Sequence, residues 1–213
     1  MSEQTPTDVG LLGLGSYSPE RVMTNDEWSR RVDTSDEWIV SRTGIRERRI
    51  ADDSQSTVDL AAAAARAALA DAGLEIESID EIVVATDTPE VFIPDTASYL
   101  QHRLGAREVP AYDLAGSGCA GFLLALDVAR SRCYGNSRKV LVVGVELLTR
   151  LMNWEDRNTC VLFGDAAGAA VVSSGADSMR ILAAAAGTDG SQADILSLEA
   201  GGTRVPFNLD AAE

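Results

Sequence analysis

With 213 residues, 46% of them hydrophobic, the chain has enough apolar material for one large domain, or a domain and a further piece; few aromatics beside abundant Ala, Val, Leu, Ile and Gly suit helices packed on a buried sheet. The 33 acidic against 18 basic residues leave a formal charge of -15, which repels phosphate backbones and anionic membrane surfaces and argues against a nucleic-acid or membrane partner. The opening MSEQTPTDVG lacks the basic-then-apolar pattern of a signal peptide and no apolar run reaches membrane-spanning length, so a cytoplasmic protein is expected.

Val9 to Pro19 reads as a buried strand leaving into a loop. Two helices are expected next, because Thr24 with Glu27 and Thr34 with Glu37 both have the S/T-x-x-E capping spacing, and Gly44 closes the second. Thr57 to Ala72 is a strong helix former ended by Gly73, followed by a strand over Ile82–Thr86 and a helix from after Pro94 to Gly105. Val109–Leu114 is the next strand, Gly121–Tyr134 a helix with Gly135 as its cap, and Lys139–Glu146 a further strand. Ala166–Ser174 and Met179–Ala186 read as a last pair of strands, and residues 187–213 as an irregular, Gly-rich stretch whose FNLDAAE ending belongs to no packed element. Such alternation predicts an α/β fold on a parallel or mixed sheet with right-handed crossovers.

The chemistry-bearing residues are few. Cys119, Cys133 and Cys160 form no CxxC pair and read as free thiols, and with His102 the sole histidine, no metal site is expected. DLAGSGCAGF places Cys119 in a Gly-rich turn between a strand and a helix, where the helix N-terminus favours thiolate and backbone amides can meet an oxyanion. The same position also suits a small apolar residue in a buried turn. Cys133, late in a helix, and Cys160, in the apolar run TCVLF, read as packing residues. Trp38 and Arg42 share a helix face at i and i+4, compatible with partial burial or with binding a flat ligand. GDAAGAAVV lacks the Lys-Ser/Thr of a phosphate loop, so its small residues are expected to permit close strand–helix packing.

DTSDEWIVSRTGIRERRI, with GSYSPERVMTN before it, CAGF in the middle and DRNTCVLFGDAAGAAVV after it, closely resembles the β-ketoacyl-[acyl-carrier-protein] synthase III family, and the motifs keep that family's order from about Gly15 to Val172. The resemblance implies a thiolase-like fold, a mixed five-stranded sheet sandwiched by helices in α-β-α layers, of which this chain is the N-terminal half. It also implies that residues 1–175 carry the nucleophile and residues 176–213 lead towards a C-terminal half absent from this chain. The implied reaction is a decarboxylating Claisen condensation of an acyl-CoA primer with malonyl-acyl-carrier-protein, run by a homodimer without a resident cofactor. Cys119 matches the nucleophile; Trp38, Arg42 and Arg157 match the coenzyme A adenine site, with Thr43 and Thr34 flanking it, although Thr34 also suits a helix N-cap.

Three departures qualify this resemblance. The family's catalytic His and Asn lie in the C-terminal half, so the 213 residues are expected to be one piece of a longer protein, or else a binding module that takes acyl-CoA without condensing it. Between Asp113 and Cys119 there is one residue more than the family pattern, with GSG in place of small non-glycine residues. Ile93, beside Phe92, stands about where relatives carry the residue lent to a partner's acyl pocket, which leaves acyl preference open, as it does the choice between fatty-acid and polyketide pathways. The -15 charge would repel an acidic carrier protein, so a basic docking patch is expected in the C-terminal half.

Overall fold

The computed structural model describes residues 8–175, 179–198 and 200–206. They fall into two compact units, one running to Ala183 and one from Ala184 onward.

The first unit is built on strands β1 (Val9–Tyr17), β4 (Glu81–Ala85), β5 (Ala111–Leu114), β6 (Lys139–Leu147) and β7 (Asp165–Ser174), extended by a two-residue β8 (Met179–Arg180). Their order is β5-β4-β6-β7-β1-β8, with β4 parallel to both β5 and β6 and β7 antiparallel to both β6 and β1. The five expected strands are therefore present in a mixed sheet. The expected last pair is corrected: β8 stops at Arg180 rather than Ala186 and pairs with β1, which lies between it and β7.

Helices cover both faces, which is why the central strands read as unbroken apolar runs. Leu60, Ala61, Ala64, Ala65 and Ala68 of α3 (Thr57–Ala72), with Ala97 and Leu100 of α4 (Thr96–Leu104), meet Ile82, Val84, Leu141, Val143, Ala167, Ala169 and Val171. The alternate residues Val83, Ala85, Val140, Val142 and Val172 meet Ala125, Ala129 and Cys133 of α5 (Gly121–Cys133). Ala167 and Ala169 of the GDAAGAAVV motif thus pack on α3 as expected of small residues. An approach closer still lies at Gly13 and Gly15 of β1, where an added Cβ would drive into the α3 backbone at Ala72, Ala68 and Ala64. Gly15→Ala is expected to lower stability by about 1–3 kcal/mol in urea unfolding, because a backbone cannot swing aside as a side chain can.

Between β1 and α3 the chain folds a small subdomain: β2 (Arg21–Thr24) pairs antiparallel with β3 (Glu47–Ile50), enclosing α1 (Asn25–Trp28) and α2 (Asp36–Thr43). Its core joins Met23, Trp28, Val32, Ile39 and Ile50 to Cys160 and Val161, at the end of a four-residue α6 (Arg157–Cys160). Trp28 stacks on Trp154 at 4.9 Å between centroids. The buried Arg48 guanidinium donates to the Val161 carbonyl and to Asn25 Oδ1, while the Asn25 amide donates to Asp36 Oδ1 and the Ile45 carbonyl at 2.8 Å each. Burial lowers the Arg48 pKa, and the nearby Cys160 partly opposes that.

Thr24 caps α1 as expected, accepting from the Glu27 amide at 3.3 Å, but Thr34 does not cap α2. Ser35 does so instead, accepting from the Trp38 amide at 3.1 Å, and Glu37 is exposed. Gly44 (φ 74°) closes α2 as expected.

In the second unit a 3-10 segment, Gly190–Ile195, begins at Asp189, whose carboxylate accepts from the Ser191 amide at 3.0 Å, and Arg204 pairs with Asp194 at 3.3 Å. The FNLDAAE ending lies outside the described residues.

Candidate active site

β4 and β5 run parallel and end side by side, at Ala85 and Leu114, and the segments leaving them build the site. After β5 the chain makes a turn, Ala115–Ser117, then a single 3-10 turn, Gly118–Ala120, that holds Cys119 just before α5. Gly116 (φ 72°) and Gly118 (φ 52°) both occupy the left-handed region, which a residue with a Cβ enters at a cost. Gly121 and Phe122 then seat the helix: an added Cβ at Gly121 would lie 3.2 Å from the Ala85 Cβ, and the Phe122 ring packs against the bare Cα side of Gly144 in β6. Gly121 and Phe122 of CAGF therefore each have a separate steric reason to be there.

Cys119 is exposed, whereas Cys133 and Cys160 are buried. Burial pushes the Cys133 thiol up to about 11, and it donates to the Val172 carbonyl at 3.5 Å. Burial, aided by Asp156, also raises the Cys160 thiol. Ala120, the N-cap of α5, offers no side-chain acceptor, and the helix is entered through the 3-10 turn, whose carbonyls at Ser117 and Gly118 accept from the Ala120 and Gly121 amides, so the positive end of α5 faces Cys119 without a capping side chain.

The segment leaving β4 supports the turn. Asp87 Oδ1 accepts from the Gly116 amide at 2.7 Å and Oδ2 from the Gly118 amide at 2.9 Å. Asp87 is itself held from β6: Glu146 accepts from the Asp87 amide at 2.8 Å and from the Thr88 hydroxyl at 2.7 Å, and the Thr88 hydroxyl accepts from the Leu147 amide at 2.9 Å. Burial, with the Asp87 charge a smaller contributor, raises the Glu146 carboxyl. Asp113 of β5 caps α4 in the same manner, accepting from the Thr96 and Ala97 amides at 2.7 and 2.8 Å.

A second cluster sits on the subdomain. The Arg42 guanidinium lies 4.5 Å from the Trp38 ring centroid and that of Arg157 lies 4.4 Å from it, so α2 and α6 bring an indole and two guanidiniums together. Trp38 is half-buried, and Arg157 reaches Asp33 at 3.8 Å. Thr43 is committed to the end of α2, donating to the Ile39 carbonyl at 2.7 Å and accepting from the Ile45 amide at 3.0 Å. The Thr34 hydroxyl is buried and has no hydrogen-bond partner among the described residues. His102 is exposed in the last turn of α4.

A family profile for 3-Oxoacyl-[acyl-carrier-protein (ACP)] synthase III matches residues 112–190, which include the Cys119 turn. The β-ketoacyl-[acyl-carrier-protein] synthase III of Caldanaerobacter subterraneus subsp. tengcongensis is 49% identical over 206 residues, 96% of this chain and 62% of that protein. The chain belongs to the β-ketoacyl-[acyl-carrier-protein] synthase III family. It spans about three fifths of the length of the curated relatives it matches. The crystal structure of 3-oxoacyl-(acyl carrier protein) synthase III from Pseudomonas aeruginosa PAO1 superposes with a TM-score of 0.84 at 40% identity, covering 96% of this chain and 64% of that one. The priming β-ketosynthase of the R1128 polyketide biosynthetic pathway matches at 40% identity and a TM-score of 0.76, over 82% of this chain and 52% of that one. The fold is accordingly the thiolase-like α/β fold of the synthase III proteins.

Within this synthase III chain, sequence reasoning names Cys119, Trp38, Arg42 and Arg157 and passes over Asp87, Glu146 and Asp165. The available signal for Asp87 is positional: in an open α/β sheet, ligands sit beyond the carboxyl ends of the parallel strands, and both Asp87 and Cys119 follow such ends. No helix among the described residues is long and apolar enough to cross a membrane, and no three His, Cys, Asp or Glu among them gather as a metal would require.

Proposed function

We propose that the whole protein joins an acyl-CoA primer to malonyl-acyl-carrier-protein, with loss of carbon dioxide, and that Cys119 carries the acyl group between the two halves of the reaction. The observation that carries this reading is the placement of Cys119, the exposed one of three thiols, at the uncapped start of α5. Its thiolate attacks the acyl-CoA carbonyl, the coenzyme A thiolate leaves, and the thioester waits on the enzyme while carriers exchange. Loss of carbon dioxide from the malonyl group then supplies the carbanion that displaces Cys119 from the acyl carbonyl. The amides at the start of α5 supply the positive end towards which the oxyanion develops.

Trp38, Arg42 and Arg157 form the coenzyme A end of the site in this reading, stacking on a purine and meeting phosphate charge. Trp38→Ala is expected to weaken coenzyme A binding by about 1–2 kcal/mol, measured by titration calorimetry, and an unchanged affinity would return the ring to a packing role. Thr34, released from capping by Ser35, is assigned to the rim of this site; Thr43, though expected to flank it, is used up in ending α2. Acyl-CoA is a substrate here, and the chemistry calls for no resident cofactor or metal.

Cytoplasmic location and a homodimer belong to the same proposal. Phe92 and Ile93, each 88% exposed, and Leu123, 67% exposed, offer apolar surface for a second copy to cover. A polyketide-priming role is the second reading, supported by the likeness to the R1128 priming ketosynthase. Intact-protein mass spectrometry after incubation with acetyl-CoA and longer acyl-CoAs tests the main reading. One acyl group mapped to Cys119 supports it, and the product released with malonyl-acyl-carrier-protein separates the two pathways. A protein that takes no acyl group, or takes it elsewhere, refutes it.

A further inference from the structure

The turn that presents Cys119 is made from the most pliable material a chain has. Gly116 and Gly118, both at positive φ, flank Ser117 within three residues of the thiol, and glycine surrenders more conformational freedom on ordering than any other residue. Left to itself such a turn would sample many backbone states, and the thiol would sweep with it. The Asp87 carboxylate bridges the two glycine amides, one oxygen to each.

Asp87 in turn is fixed by its own amide to Glu146 of β6, and the next residue, Thr88, is bonded to Glu146 and to the Leu147 amide. Thr57, in the first turn of α3, adds a hydrogen bond from its hydroxyl to the Thr88 carbonyl at 2.7 Å. A continuous set of hydrogen bonds therefore runs from the core of the sheet to the nucleophile turn.

Resting on the proposed role of Cys119, we propose that Asp87 is the positioning residue of the nucleophile, clamping the Gly116–Gly118 turn so that the thiol faces the acyl thioester in one orientation. The clamp also removes these two amides from the pool of oxyanion donors, since each is already bonded to a carboxylate oxygen. Asparagine cannot replace it. Both oxygens of Asp87 face N–H donors, so an amide side chain must turn its own NH2 towards one of the glycine amides.

Single-turnover acylation of the full-length protein by acetyl-CoA, followed by mass spectrometry, reads the effect. Asp87→Asn is expected to lower the limiting acylation rate about 10–100-fold while the half-saturating acetyl-CoA concentration stays within about twofold, because positioning acts on the reacting geometry and not on coenzyme A binding. A limiting rate within about twofold of wild type overturns the proposal. Amide hydrogen exchange on the wild-type protein decides independently of whether the variant folds: Gly116 and Gly118 are expected to exchange at least about tenfold more slowly than a free turn, and unprotected amides there overturn the clamp. If wild-type Cys119 takes no acyl group at all, the proposed function fails, and the exchange measurement still rules on the clamp.

Discussion

Cys119→Ala is expected to abolish acyl-enzyme formation on incubation with acetyl-CoA, while Cys133→Ala leaves the stoichiometry at one acyl group per chain. The two thiols differ in access, and burial holds Cys133 in its protonated form. Cys133 is sealed between α5 and the sheet, and with its thiol at about 11, roughly one molecule in a thousand carries a thiolate at pH 8. Cys160 is buried in the subdomain core, and its thiol is likewise raised by burial. Cys119 is exposed, so alanine there removes little packing, and its effect on stability should stay within about 0.5 kcal/mol. Loss of acylation in a variant that still unfolds at the wild-type denaturant midpoint would locate the chemistry at Sγ of Cys119. Equal labelling of the Cys119→Ala and Cys133→Ala variants would sink the assignment.

Where the sequence speaks through local physics, the fold is legible in it. Thr57–Ala72 is found to the residue because alanines mark its body and Gly73 its end, and α4 closes at Gly105 for the same reason. The central strands are found because burial on both faces leaves unbroken apolar runs. The α2 cap is misread by one residue because Thr34 has the S/T-x-x-E spacing with Glu37 whereas Ser35 is followed three residues on by Trp38, and the choice between the two neighbouring hydroxyls is made by packing, which buries the Thr34 hydroxyl and leaves Ser35 to accept from the Trp38 amide. The strands β2 and β3 escape notice because RVMT and ERRI are four residues each, and Met23 and Ile50, their apolar side chains in the subdomain core, are too few to form a recognisable pattern before the two strands pair. At the site, Trp38 and Arg42 are legible as an i, i+4 pair, whereas Arg157 joins them only through the fold and is reached from sequence only through the family resemblance. Asp87 has no local pattern at all. Its partners, Gly116 and Gly118, come to it because β4 and β5 are parallel neighbours.

Asp165 is where the same kind of contact should weigh most on stability. It opens β7 in the GDAAG motif, is 2% exposed, and accepts from three donors: the Ala51 amide at 2.8 Å, the Thr149 hydroxyl at 2.7 Å and the Thr149 amide at 3.1 Å. These donors belong to the exits of β3 and β6, and Thr149 also holds Trp154, whose indole donates to the Thr149 carbonyl at 2.9 Å. One carboxylate thus ties the sheet to the subdomain that carries Trp38. Asp165→Ala would leave two buried backbone amides without acceptors, each costing about 1–3 kcal/mol, so a loss of about 3–5 kcal/mol is expected in urea unfolding. Asp165→Asn distinguishes acceptor count from size. Since each oxygen faces an N–H group, the asparagine NH2 must confront a backbone amide, and the isosteric variant should lose most of what alanine loses. A loss below about 1 kcal/mol for asparagine would mean that water or a shifted loop meets these donors instead. A loss near the alanine value would show that the aspartate is required for accepting on both oxygens, against a total stability of only about 5–15 kcal/mol for a typical domain.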